Sequence, residues 1–218
     1  MAASSPAEMS FVLYVEGPRD RSLLEAWAWR VAPALGRALP AITVILGGCQ
    51  PLRAAEHFRS VRARTATARG LCVLDRDVGP KPMPARAREP GLEFFTWGRR
   101  HIESYLLVPA AICRAARVPA GDRRRARWFA QALPAEHDEP AFGALDAKPL
   151  FAHHGALQQL LGRPLRPVQV ARAMRHDELH ADVQRLLERL RAALGLAGAA
   201  AGSEGDAGSA APRRIRSG

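Results

Sequence analysis

The sequence predicts an α/β protein with a four-stranded, mostly parallel sheet flanked by helices and a C-terminal helical extension. Two observations carry this. Short apolar, β-rich runs alternate with helical segments three times in the first half of the chain, the pattern of parallel strands joined by crossover helices. From Pro109 onward only helical periodicity remains.

The first run is Phe11 to Val15 (FVLYV), closed by Glu16-Gly17-Pro18. A continuous apolar run bounded by turn residues reads as a buried strand. In the helix that follows, Asp20 is placed to cap, and Leu23, Leu24, Trp27 and Val31 recur at helical spacing until Pro33 and Gly36, which are read as its stop. The second strand is Ala41 to Leu46, ended by Gly47-Gly48, and an Arg-rich helix follows from Leu52 to about Ala66. The third strand, Leu71 to Leu74, ends at Asp75-Arg76-Asp77. The four prolines of Val78 to Pro90 predict a loop, Leu92 to Trp97 the last strand, and Arg99 to Leu107 another helix. The last helix is expected from Glu178 to about Leu196, with Leu179, Val183, Leu186, Leu187 and Leu190 on one face. These segments divide the chain into a flexible N-terminus (1–10), an α/β domain (11–108), a helical extension (109–196) and a disordered Gly/Ala/Ser-rich tail (197–218).

Composition narrows the function classes. No apolar run reaches the roughly 18–20 residues of a membrane span, and the N-terminus lacks the basic and apolar regions of a signal peptide, so a cytoplasmic protein without membrane partners is expected. Cys49, Cys72 and Cys113 show no CxxC spacing, which leaves buried thiols as their reading. The histidines have no HExxH or similar spacing, which argues against zinc chemistry, and GxxxxGK[ST] and GxSxG are both missing. The 32 Lys+Arg against 21 Asp+Glu give a net charge of +11, which favours polyanionic partners through phosphate contacts.

Against this basic background, three acidic residues stand where ligand-binding groups gather in parallel sheets, just beyond the carboxyl ends of strands. Glu16 follows the first strand; Asp75 and Asp77 follow the third. In extended backbone, residues two apart point to the same side, so Asp75 and Asp77 can address one ion. Mg²⁺ takes one or two carboxylates and fills its remaining positions with water and substrate phosphate. Other residues keep two readings. Asp20 is a helix cap or lies behind the ligands, Glu103 is a ligand or pairs with Arg99 or Arg100, and Lys148 is by default a solvated charge. The stretch Arg123-Arg124-Arg125-Ala126-Arg127-Trp128-Phe129 is a phosphate and base contact or an amphipathic helix with its aromatics in the core.

Leu13-Tyr14-Val15-Glu16-Gly17-Pro18-Arg19-Asp20, Leu46-Gly47-Gly48 and Val73-Leu74-Asp75-Arg76-Asp77 together resemble a Toprim domain, and Arg100-His101-Ile102-Glu103-Ser104-Tyr105-Leu106-Leu107 is similar to the IENYLL segment of the overcoming-lysogenization-defect (OLD) family nucleases. The resemblance covers the first half of the chain well and the second half loosely. It implies a Toprim, Rossmann-like fold and a Mg²⁺- or Mn²⁺-dependent nuclease acting on nucleic acid, DNA before RNA. The implied one- or two-ion site maps onto Glu16, Asp75, Asp77 and Glu103, with Asp20 at a second acidic position and Lys148 assisting. OLD nucleases carry an ATPase domain ahead of Toprim, whereas this sequence begins at the first strand. The resemblance therefore implies either a separate ATPase partner or action without ATP, in phage defence or DNA repair. A topoisomerase reading is disfavoured because the two tyrosines, Tyr14 and Tyr105, fall in a core strand and a helix. A non-catalytic module binding nucleic acid or an ATPase stands as the alternative.

Overall fold

The computed structural model describes residues 11–76, 84–119, 121–135 and 138–196. Asp77, the expected flexible N-terminus, most of the proline loop and the expected tail lie outside them.

Four strands, β1 (Phe11–Val15), β2 (Thr43–Ile45), β3 (Arg69–Leu74) and β4 (Leu92–Thr96), form one sheet in the order β2-β1-β3-β4. Every pairing is parallel, so the sheet is wholly rather than mostly parallel. The chain steps outward from β1 to β2, returns across β1 to β3, and then continues to β4. The order thus reverses between β1 and β3, and a crevice opens at such a point beyond the strand ends.

Both faces of the sheet are covered at its centre, which is why β1 and most of β3 read as unbroken apolar runs, while the edge strands β2 and β4 are partly exposed. Side chains alternate across a strand. Phe11, Leu13, Val15, Leu71 and Val73 enter one core with helices α1 (Pro18–Val31) and α2 (Pro33–Ile42), while Val12, Tyr14, Cys72 and Leu74 enter a second with Ala54, Ala55, Phe58 and Val61 of α3 (Pro51–Arg64).

The extension comprises α4 (Pro109–Ala116), α5 (Arg123–Ala132), α6 (Glu139–Ala144), α7 (Ala156–Leu161), α8 (Pro167–Ala173) and α9 (Ala181–Ala193). It builds the first core outward: Ile112, Leu157, Val170, Val183, Leu186 and Leu190 are buried with the residues of β1 and β3. Trp27 of α1 donates its indole N–H to Met174 Sδ at 3.4 Å, which ties the first crossover helix to the end of α8.

Several boundaries differ from the sequence reading. Pro33 and Gly36 do not end helical structure; Pro33 is the first residue of α2, where its missing N–H costs nothing. Gly36 lies inside α2 because a Cβ there would come within 2.6 Å of the Trp29 ring. Ala41 and Ile42 end α2 rather than begin β2. In place of a helix from Arg99 to Leu107 there is a short 3₁₀ turn, Ile102–Leu106, and the last helix is shorter than expected at both ends. Cys49 is exposed, unlike buried Cys72 and Cys113.

Candidate active site

Glu16 leaves β1 at the point where the strand order reverses. Its backbone is held by the Gly47-Gly48 turn, whose two N–H groups both donate to the Glu16 carbonyl at 2.9 Å. Those glycines have φ of +82° and +118°, a region that L side chains rarely adopt, so this wrap depends on the Gly-Gly pair. The Glu16 side chain turns across the switch point, and its Oε1 accepts from the Asp75 N–H at 2.8 Å. One carboxylate therefore fixes the backbone of the next.

Asp75 is the hub. Its side chain is 7% exposed, and Oδ1 accepts from the Ile102 N–H at 3.1 Å. Oδ2 accepts from His101 Nδ1 and from Lys148 Nζ, each at 3.1 Å. Lys148 thus comes from the extension into direct contact with the strand-end carboxylate, although its side chain remains partly in solvent. It stands at the start of a 3₁₀ turn, Lys148–Phe151, and its N–H donates to Asp146 Oδ1 at 3.1 Å. Asp146 also faces the other side of the imidazole, with Oδ1 3.5 Å from His101 Nε2. Buried His101 lies between two carboxylates.

Glu103 is 1% exposed and pairs with Arg19, not with Arg99 or Arg100: Arg19 Nη1 donates to Oε1 at 2.9 Å. Arg99 instead binds Glu139 through two nitrogens, and Arg100 Nη2 is 3.6 Å from Asp146 Oδ2. Glu103 Oε2 is buried and has no hydrogen-bond partner. A buried carboxylate oxygen left without a donor costs on the order of 1–3 kcal/mol or more, a cost that a bound water or cation would relieve.

Asp20 caps its helix: its Oδ2 accepts from the Gly17 N–H at 2.6 Å. Burial pushes its carboxyl up to about 6; Asp75 and Glu103 push the same way, while the Gly17 N–H and Lys148 oppose them. Lys148 shows the complementary effect. Burial draws its ammonium down, but Asp75, Glu103 and Asp20 together hold it above its usual range. These mutual influences bring Asp20, Asp75, Glu103 and Lys148 into one electrostatic unit.

The donor set suits a hard cation. It is oxygen-rich, gathers at a switch point, and contains one orphaned buried carboxylate oxygen together with a carboxyl whose charge its neighbours disfavour. Among the described residues, though, no three His, Cys, Asp or Glu side chains already converge on one point in ion-binding geometry. The reasons are visible: Glu16 is turned onto a backbone N–H, and the Asp75 oxygens are engaged by Lys148, His101 and Ile102.

Sequence reasoning missed His101, Asp146 and Arg19. His101 lies inside the Arg100 to Leu107 segment and could have been found by its two-residue offset from Glu103. Asp146 carried no signal, and for Arg19, inside the Leu13 to Asp20 stretch, nothing pointed to Glu103, since only the fold brings the two together. The tyrosines are confirmed as core residues: Tyr14 shares a 2.9 Å hydrogen bond with His57 Nδ1, and Tyr105 donates to Asp182 Oδ2 at 2.6 Å.

No family model matches the sequence, and no curated protein matches it. Among solved structures, the chain is similar to the C-terminal region of the Xanthomonas campestris pv. campestris OLD protein. The two are 17% identical with a TM-score of 0.46, over 86% of this chain and 94% of that one. Among the described residues, no helix is long and apolar enough to cross a membrane.

Proposed function

We propose that this protein is a metal-dependent nuclease that hydrolyses phosphodiester bonds in DNA or RNA. The observation that carries the reading is the buried, unpartnered Oε2 of Glu103, within the electrostatic unit of Asp20, Asp75 and Lys148 at the switch point of a parallel sheet. Glu103 and Asp75 would hold the cation, Mg²⁺ or Mn²⁺, and the sequence reading adds Glu16, Asp20 and Asp77 as ligands of a first or second ion. Such an ion polarises a phosphoryl oxygen and lowers the pKa of bound water. Lys148 and Arg19 supply positive charge beside the carboxylates, where a phosphate bearing extra negative charge would be stabilised. His101, braced by Asp146, orients Asp75.

The resemblance to OLD nucleases extends the proposal to a cytoplasmic role in phage defence or DNA repair, with an ATPase as a separate subunit. The test is cleavage of plasmid, linear DNA and RNA with Mg²⁺, Mn²⁺ or EDTA. Cleavage that requires metal and is lost in Asp75→Ala and Glu103→Gln is the expected result; equal cleavage by the variants would exclude this site.

One observation favours a second reading, a non-catalytic module that binds nucleic acid or a partner ATPase. The oxygens of Asp75 are already satisfied within the protein. Salt-dependent nucleic-acid binding that persists in Asp75→Ala, with no cleavage under either metal, would establish it.

A further inference from the structure

The arginine run absorbed by neither reading folds into α5. Asp122 caps this helix by accepting from the Arg125 N–H at 2.9 Å and also engages the Arg125 side chain. Phe129 is buried and Trp128 half-buried against the core, which confirms the amphipathic reading of the helix. That reading does not exhaust the segment. Arg123, Arg124 and Arg127 are exposed, and among the described residues no carboxylate forms an ion pair with any of them. Arg19, Arg59, Arg99, Arg114, Arg185 and Arg189 pair with Asp or Glu, whereas other arginines such as Arg37, Arg64 and Arg117 form no ion pair among the described residues; what distinguishes these three is their clustering on one helix.

This cluster of positive charge borders a depression. Arg124, Arg127, Trp128 and Gln131 of α5 form one wall of a groove of about 340 Å³, and Ala156, Gln159 and Leu160 of α7 form the other. Gln159 is held in place, its Nε2 donating to the His154 carbonyl at 3.0 Å. The α7 wall packs on the 3₁₀ turn that carries Lys148, whose ammonium touches Asp75. The groove and the carboxylate cluster are therefore joined through two successive short elements.

We infer that the α5–α7 groove is a second nucleic-acid contact, separate from the carboxylates, which holds the phosphate backbone of a single strand through Arg124 and Arg127 of its wall and Arg123 beside it, with Trp128 on the same wall. The inference rests on the proposed nucleic-acid substrate but not on cleavage. Three exposed guanidiniums on one helix match a row of phosphates, and the part-exposed indole of Trp128 beside them offers a face to a base. Contacts of this kind are independent of sequence, and each phosphate neutralised releases counterions. The groove would thus set how tightly a strand is held, while Asp75 and Glu103 set whether it is cut.

The test is a fluorescence-anisotropy titration of a labelled single-stranded oligodeoxynucleotide with the full chain in EDTA, over a series of salt concentrations. EDTA separates this experiment from any failure of the nuclease reading. For the triple variant Arg123→Ala/Arg124→Ala/Arg127→Ala, the slope of log K against log[salt] is expected to fall by about 2, at roughly 0.7 per lost phosphate contact for single strands. Affinity at low salt should drop at least tenfold, with an unchanged melting temperature because the three side chains are exposed. A second variant, Arg123→Lys/Arg124→Lys/Arg127→Lys, retains the charge and should keep most of the salt slope. An unchanged slope in the alanine variant, no binding by the wild type, or equal competition from polyglutamate of matched charge would each overturn the inference.

Discussion

Lys148 Nζ donates to Asp75 Oδ2 over 3.1 Å, linking residues 73 positions apart and joining the helical extension to the end of β3. The pair sets a cation against the carboxylate that gathers most of the site's hydrogen bonds. Because the Lys148 side chain is 45% exposed, solvent screens the pair, and it contributes little to stability, about 0–1 kcal/mol. Its contribution is to place positive charge at the switch point. In Lys148→Met, the melting temperature should stay close to that of the wild type, while metal-dependent cleavage should fall by about 10²-fold, the range seen when one transition-state donor is removed. Parallel thermal melts and initial rates check this; a large fall in melting temperature would instead make Lys148 a structural residue.

Asp20 makes stability depend on pH in an unusual direction. Its carboxyl is raised from an ordinary value of 3.8 to about 6 in the folded protein, chiefly by burial. Between those values the unfolded chain has released the proton and the folded chain still holds it, so stability falls as pH rises through the window from about 4 to 6. Above it the full cost remains, up to about 3 kcal/mol. Asp20→Asn keeps an acceptor for the Gly17 N–H and cannot ionise. In EDTA it should melt above the wild type at pH 7–8, with the advantage disappearing by about pH 4. An advantage that does not vary with pH would point to a different cause.

The fold was readable because its central strands, β1 and most of β3, are buried on both sides. Val12, Leu13 and Tyr14 are fully buried whichever face they enter, so the run carries no polar interruption. The errors arose where one local signal serves two ends. Pro33 both follows α1 and begins α2, and in the sequence those roles look alike. Glu16 and Asp75 were readable as a pair because strand-end position follows from topology. The partners of Glu103 and Asp75 were not, since Arg19, Lys148 and Asp146 arrive from other elements. The short-range reading of Glu103 with Arg99 or Arg100 fails because the helical turn begins only at Ile102, after an extended His101, so Arg99 and Arg100 do not stand at helical spacing from Glu103.

Tyr105 separates hydrolysis from strand transfer. Its hydroxyl donates to Asp182 Oδ2 at 2.6 Å and accepts from the Arg99 N–H at 3.0 Å, and burial, reinforced by the bond to Asp182, holds the phenol above its usual range. A phenol so placed is a brace between the β4 exit and α9, and it is not available to attack phosphorus. Tyr105→Phe should cost about 1–3 kcal/mol by leaving the buried Asp182 carboxylate short of a donor. Cleavage per folded molecule should be unchanged, and no protein–DNA adduct should form with either protein. Denaturing electrophoresis of the reaction mixture detects such an adduct directly.

Metal removal gives a test that does not depend on finding the substrate. Glu103 Oε2 is buried without a partner, and Asp20 resists ionisation beside Asp75, so both features disfavour the metal-free protein near neutral pH. A cation relieves both at once. At about 100 times its dissociation constant, Mg²⁺ or Mn²⁺ should stabilise the protein by roughly 2.7 kcal/mol, or about 5–10 °C for a chain of this size, and EDTA should reverse the shift. The increment should shrink as pH falls below about 6, where Asp20 takes up a proton that competes with the ion. In Glu103→Gln the metal-induced increment should largely vanish even if the variant's own melting temperature differs from the wild type, since the readout is the difference between metal and EDTA. A full increment in that variant would place the ion elsewhere.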